Sequence, residues 1–390
     1  MNNTLNNTIY NEKYNEDFDK SNLINISLDV VNSSKNLLII GYCRLDDGFL
    51  YASRALESFN YNIHFFPYFN YILDKIDNKD NILHEFIIKN DINICLWWNN
   101  SIKSESIKNI IHNKLNNNDH CIEKAEIKHY FFNWDPFLYN YQKYNSLIWE
   151  ERINERKNIY PLMEHVFSCF EKEVNYFKNY LNISYLPPGF DETISYYYED
   201  STFSCDVSIV CTNLYDNLEE FPKDSTNITR AEIVNQLYEN RNKIKFHIYG
   251  PENFKEKYPE CYKGFISYKD CYKVFSNSKI NLSIHPMVNE LNSINSTKEY
   301  FSERVPQILG CKGLLMTNSN FSHILKNNID YIYIDSEKGI DILDIIYYII
   351  NPDNKIESDR IRENGYKKAI EHYQWYNWAS VIDNIIQKDH

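Results

Sequence analysis

The stretch Lys35–Phe66, KNLLIIGYCRLDDGFLYASRALESFNYNIHFF, decides the fold. Leu37–Ile40 is an unbroken apolar run, as in a strand buried on both faces, and Gly41 ends it. From Gly48 the apolar residues of FLYASRALESF recur at helical spacing, and NIHFF then reads as a second strand. Strand, helix and strand in this order predict a parallel sheet with helices on both faces.

The alternation runs on along the chain. A helix near 82–90 precedes strand INICLWW (92–98), and helix SIKSESIKNIIHNKL precedes strand IKHYFFN (127–133). A helix around 146–159, strand HVFSCF (165–170) and helix EKEVNYFKNYL follow. Pro187-Pro188-Gly189 then punctuates the chain and places a domain boundary near 190–203. The grammar restarts with strand CDVSIVCT, helix RAEIVNQLYENRN and strand IKFHIYG (244–250). It continues through helix YKDCYKVFSNS, strand INLSIHP, helix ERVPQILG and strands GLLMT and YIYID.

The expected organisation is α/β, with a polar Asn-rich tail over 1–34 and two Rossmann-like domains over 35–200 and 201–365. Residues 366–390 complete it as one long amphipathic helix whose Tyr373, Trp375, Tyr376 and Trp378 pack across both domains. A chain of 390 residues exceeds the usual reach of one hydrophobic core, which agrees with two domains and a cleft between them.

Composition narrows the partners. Hydrophobic residues make up 43% of the chain, but no apolar run is long enough to span a bilayer, so no transmembrane segment is expected. The N-terminus MNNTLNNTIYNEKYNEDF lacks a basic start followed by an apolar stretch, so no secretory signal is read there. Nine scattered cysteines without a Cys-x-x-Cys pair point to reduced thiols in the cytoplasm, with Cys95, Cys205 and Cys211 as small buried hydrophobes. A net charge of −13 opposes nucleic-acid binding but leaves room for a small anionic ligand on a local basic patch.

The chemistry concentrates in EYFSERVPQILGCKGLLMT, Glu299–Thr317. A helix beginning near Ser302, with Ser302-Glu303 as its N-terminal residues, would offer backbone N–H groups to a diphosphate, and Arg304 adds a charged fork. Gln307, three residues on, lies on nearly the same face and could hydrogen-bond a ribose diol. Glycine is scarce, and Gly41 and Gly250 fall at strand ends, where the ligand crevice of an open parallel sheet lies. In FFNWDPF, Asp135 follows a strand end and is a candidate general base for an acceptor hydroxyl, although Asp-Pro is also an ordinary turn opener. The absence of a strand-associated Asp-x-Asp argues against a metal-dependent single-domain design. No cofactor or metal is therefore expected.

The Glu299–Thr317 stretch resembles the donor-binding signature of GT-B-fold glycosyltransferases, particularly family 4 and the spore-maturation CgeB-like group. That signature has an acidic residue, seven others, a second acidic residue and a helix end of small residues. Glu299 takes the first acidic position. Gln307 departs from the second, keeping hydrogen bonding but not charge. HVFSCF, YLPPGFD, CDVSIVCTNLY, IKFHIYGPE, GFISYKDCYKVFSNSKINLSIHP and EHYQWYNW follow the same group's order over roughly residues 125–385.

The resemblance implies a nucleoside-diphosphate-sugar donor on the C-terminal domain. Gly250 and Pro251 would approach the nucleotide, Ser267 and Tyr268 would lie by the base, and His285 would end a strand at the cleft. Ser302, Arg304 and Gln307 would hold diphosphate and ribose. Glu299, at the first acidic position, and Asp135, from its place after a strand end, are the expected catalytic carboxylates. Trp97, Trp98 and Trp134, read as loop aromatics of the N-terminal domain, would bind a glycan, protein or small-molecule acceptor. A nucleotide-sugar epimerase and a catalytically degenerate sugar-binding protein are the alternatives on the same fold.

Overall fold

The computed structural model describes residues 35–41, 48–66, 79–98, 104–112, 127–134, 154–214, 230–285, 299–335 and 341–388. Within them the first run of strands forms a parallel sheet in the order β2-β1-β3-β4-β5-β6. These strands are β1 Asn36–Gly41, β2 Asn62–Phe66, β3 Ile94–Trp98, β4 Lys128–Asn133, β5 His165–Ser168 and β6 Ile183–Tyr185. The intervening helices are α1 Gly48–Glu57, α2 Lys79–Lys89, α3 Ser104–His112, α4 over 154–159 and α5 Glu171–Phe177.

The second sheet, β11-β10-β9-β7-β8, is also parallel. It comprises β7 Cys205–Val210, β8 Phe246–Tyr249, β9 Ser278–Ser283, β10 Leu315–Thr317 and β11 Ile332–Tyr333. Its helices are α6 Arg230–Glu239, α7 Phe254–Lys257, α8 Cys271–Asn277, α9 Arg304–Gly310, α10 Ile342–Ile350 and α11 Lys355–His372. The last helix, α12 Trp375–Lys388, returns to the first sheet.

Strand periodicity explains the apolar run that opens the fold. Successive side chains point to opposite faces, so Leu37 and Ile39 join the core under α1 and α12, while Leu38 and Ile40 join the core under α2 and α3. The same alternation corrects the expectation for two tryptophans. Trp97 and Trp98 end β3, within the strand expected over 92–98, and instead of facing an acceptor are buried in the two opposite cores. They are packing residues unavailable to an acceptor.

A second correction concerns the C-terminus, expected as one long helix. Two helices occur instead, because the chain between them pairs with the linker. The Phe190 N–H donates to Tyr373 O at 2.8 Å and the Trp375 N–H donates to Phe190 O at 2.9 Å. Helix α11 stays on the second sheet, where a Cβ on Gly365 would lie 2.5 Å from Asp330 O. Helix α12 buries Trp375, Trp378, Ala379, Ile382 and Ile386 in the first domain's core. Strand β6 and helix α10 were not anticipated. The Asp341 carboxylate caps α10 by accepting from the Leu343 N–H at 2.9 Å.

A buried ionic network fixes the carboxyl ends of β4 and β5. The Glu173 carboxylate, fully buried, accepts from Asn133 Nδ2 at 2.6 Å and Tyr160 Oη at 2.8 Å, and also from Arg156 and Ser168. It ties α4 and α5 to the sheet edge that faces the second domain. Cys95, Cys205 and Cys211 are buried, as expected of small hydrophobes. Among the described residues, no helix is long and apolar enough to cross a membrane.

Candidate donor site at the domain crevice

The two domains meet at the linker and at the carboxyl edges of their sheets. A Cβ on Gly310, at the end of α9, would lie 2.5 Å from the ring of Phe190, which is fully buried in the linker. This is the close approach that a small residue permits. Trp134 stacks on Trp375 of α12, with centroids 5.6 Å apart and planes at 13°. Across the crevice, Phe170 beyond β5 stacks on Tyr300 at 5.7 Å.

Tyr300 belongs to the segment that enters α9, and its ring edge meets His285 at 4.9 Å. His285 lies just beyond β9 and is fixed through its backbone. Its N–H donates to Asn318 Oδ1 at 2.9 Å, and Asn318 Nδ2 donates to its carbonyl at 2.8 Å. Its Nε2 faces two hydroxyls, Ser283 Oγ at 2.9 Å and Ser302 Oγ at 3.2 Å. Burial, reinforced by the Arg304 and Arg230 guanidinium groups, holds its pKa well below the usual imidazole range. His285 is therefore a neutral ring at the crevice.

Helix α9 begins at Arg304, two residues later than expected, and neither Ser302 nor Glu303 caps it through its side chain. The Ser302 hydroxyl is turned to His285. Glu303 accepts a hydrogen bond from Tyr268 Oη and abuts the start of α1, where a Cβ on Gly48 would collide with its carboxylate. Tyr268 in turn stacks on Tyr51 at 5.9 Å, so it sits at the contact between domains. Ser267 Oγ donates to Asp270 Oδ2 at 2.5 Å and opens the turn before α8. At Gly250, the space a side chain would occupy is held by Cys211 O and the Phe254 ring.

Two polar side chains of the same segment each carry one buried atom with no hydrogen-bond partner among the described residues. Gln307 is 4% exposed, and its Nε2 is buried without a hydrogen bond. Glu299 Oε2 is likewise buried and unpaired. Burial raises the Glu299 carboxyl above the usual range, with Lys172 opposing and Glu171 adding to the rise. Thus Glu299, His285, Ser302, Arg304 and Gln307 share the region from the end of β9 to α9. Asp135 lies outside the described residues.

Arg230 was missed. Buried at the start of α6, it donates to Ile284 O through Nε at 3.0 Å and through Nη2, and to Asn213 O, bracing the segments that leave β7 and β9. A cation in the first turn opposes the helix dipole, and that was a readable signal at both Arg230 and Arg304. For Arg230 the reason is this brace.

Residues 230–384 match the model of the glycosyl transferase-like family. No curated protein matches the sequence. Among solved structures, sucrose-phosphate synthase from Thermosynechococcus elongatus superposes with a TM-score of 0.60 at 10% identity, covering 91% of this chain and 98% of that one. HepE of Anabaena, in complex with UDP and glucose, gives 0.58 at 8% identity over 91% and 100%. The UDP-GlcNAc 2-epimerase of Neisseria meningitidis, bound to UDP-GlcNAc, gives 0.51 at 11% identity over 91% and 100%. The chain thus has the two-domain GT-B architecture, and its C-terminal half is similar in sequence to the glycosyl transferase-like family.

Proposed function

We propose that this chain is a glycosyltransferase that binds a nucleoside-diphosphate sugar on its C-terminal domain and transfers the glycosyl group to an acceptor hydroxyl without a bound metal. The observation that carries this reading is the meeting of His285, Ser302 and Arg304 at the β9–α9 edge of the crevice, with Gln307 three residues on in the same helix. The family match over residues 230–384 covers this same edge. UDP is named in several complexes of HepE, which has the same fold.

In this reading the Gln307 amide binds the ribose diol, since it donates and accepts where a carboxylate only accepts. Arg304 and the backbone N–H groups beside it stabilise the charge that develops on the leaving diphosphate. The acceptor oxygen attacks the anomeric carbon as the bond to the diphosphate oxygen breaks, and the hydroxyl proton passes to a base, for which Asp135 is the candidate. Glu299 faces the glycosyl group. A place in family 4 near the CgeB-like group, and a reducing cytoplasmic setting for the buried cysteines, belong to the same proposal.

The test is a thermal-shift screen of uridine, guanosine and adenosine diphosphate sugars, followed by transfer and hydrolysis assays with and without EDTA. A ligand at about 100 times its Kd stabilises by roughly 2.7 kcal/mol, well within detection. Stabilisation by one nucleotide family, with turnover that survives chelation, supports the reading. Silence across the panel refutes donor binding, and loss of turnover with EDTA restored by manganese refutes the metal-free mechanism.

A further inference from the structure

A polar cluster at the domain junction is not used by the nucleotide-binding residues. Tyr185 ends β6 in the first domain, and His323 follows β10 in the second. Their rings meet edge to face at 5.2 Å and 81°. His323 Nδ1 lies 3.6 Å from Glu171 Oε2 at the start of α5, and Glu299 feels the charges of Lys172 and Glu171. The apolar trio Cys169, Phe170 and Tyr300 lies alongside.

Three atoms of this cluster, Tyr185 Oη, Glu299 Oε2 and His323 Nε2, are buried without a hydrogen-bond partner among the described residues. Buried polar groups are normally paired, because leaving one unpaired forfeits its hydration with nothing in return. Three such atoms contributed by two domains fit a ligand surface better than a packed interface.

Their chemistry identifies that surface. The Glu299 carboxylate accepts only. With Nδ1 toward Glu171, the His323 proton belongs on Nδ1, so Nε2 also accepts. Burial lowers the His323 pKa against the opposing pull of Glu171, which keeps the ring neutral. Burial is likewise the main cause that pushes the Tyr185 phenol well above its usual range, with Cys169, Tyr373, Glu171 and Glu299 adding to it. Tyr185 therefore keeps its proton and both donates and accepts. Two carboxylates against Lys172 leave the cluster net negative. Such a set receives hydroxyl groups and repels anions, unlike the cationic surroundings of Arg304.

Resting on the donor reading above, we propose that Tyr185 and His323, together with Glu299, bind the hydroxyl groups of the transferred glycosyl unit and select neutral sugars over uronates.

Calorimetry tests this with UDP, UDP-glucose and UDP-glucuronate, and in parallel with GDP, GDP-mannose and GDP-mannuronate. The variants are Tyr185→Phe and His323→Gln. The parent should bind the neutral nucleotide-sugar about tenfold more tightly than the uronate. Each variant should lose several-fold in neutral-sugar affinity while binding the bare diphosphate as the parent does. Tyr185→Phe should also keep or raise Tm, since it deletes an unpaired hydroxyl, whereas a merely structural hydroxyl would lower it. Equal binding of neutral and acidic sugars, or variants whose sugar affinity is unchanged, overturns this inference alone. A parent that binds none of the uridine, guanosine and adenosine diphosphates of the screen overturns the donor reading and this inference with it.

Discussion

Replacing Gln307 by leucine separates stability from ligand binding. Gln307 stands between Val305, Pro306, Ile308 and Leu309, all buried, in a seven-residue helix whose first residue, Arg304, is partly exposed. Its Nε2 is buried and has no hydrogen-bond partner among the described residues. An unpaired buried donor costs about 1–3 kcal/mol, and a hydrophobic swap of similar volume costs below about 1.5 kcal/mol in repacking. The leucine variant should therefore gain roughly 1 kcal/mol, which in a domain of this size raises Tm by about 2–4 °C. Affinity should move the opposite way. Ribose hydroxyls left unpaired in a closed site lose about 1–3 kcal/mol, or roughly five- to 150-fold in Kd. Differential scanning calorimetry of the free protein and titration calorimetry with the diphosphate selected by the screen read both quantities. A leucine variant that melts lower than the parent, or that binds the diphosphate equally well, refutes the reasoning. Gln307→Glu should retain measurable binding, since a carboxylate still accepts from a hydroxyl.

Arg304→Ala should weaken nucleoside-diphosphate binding by roughly ten- to 150-fold, the loss of a charged hydrogen bond of about 1.5–3 kcal/mol, while the melting profile stays cooperative; unchanged affinity by calorimetry moves the diphosphate elsewhere. Glu173→Leu removes the buried carboxylate that Asn133, Arg156, Tyr160 and Ser168 share and should destabilise the first domain by about 3–5 kcal/mol, read as a fall in the denaturant midpoint; an unchanged midpoint shows that the network contributes little. Acid should destabilise the chain through its buried histidines. Burial, reinforced by Lys263 and Lys245, lowers the His247 pKa to about 4, and His285 is also held well below the ordinary value. Below about pH 6.5 the unfolded chain takes up protons that these native rings refuse, so stability is complete above that pH and falls toward pH 4. His247 alone should remove about 3 kcal/mol over that window, and a urea midpoint that stays constant from pH 7 to 4.5 counts against it.

The fold was legible where it depends on local pattern. Leu37–Ile40 announced a two-faced buried strand because alternate side chains of one strand meet different cores, and the helical spacing after Gly48 placed α1. The candidate segment was legible for a similar reason, since the Glu299–Thr317 stretch joins Arg304, Gln307 and small residues around one short helix. Its exact start was not, because the Ser302 hydroxyl that would have capped the helix is taken by His285, a partner seventeen residues away.

What the sequence by itself determined is the alternation of strand and helix, the two-domain division it predicts, and the residue types offered at the β9–α9 edge. These follow from side-chain periodicity and hydrogen-bonding chemistry, both properties of neighbours along the chain. The tertiary structure decided the strand orders, the burial of Trp97 and Trp98, and the break at Tyr373–Gln374, where pairing to Phe190 replaces helix continuation. It also decided that Tyr185 and His323, 138 positions apart in the sequence, share a wall with unpaired polar atoms. The physical reason is that a buried polar group is satisfied or left unpaired by whatever long-range packing places beside it, and no local pattern records that neighbour.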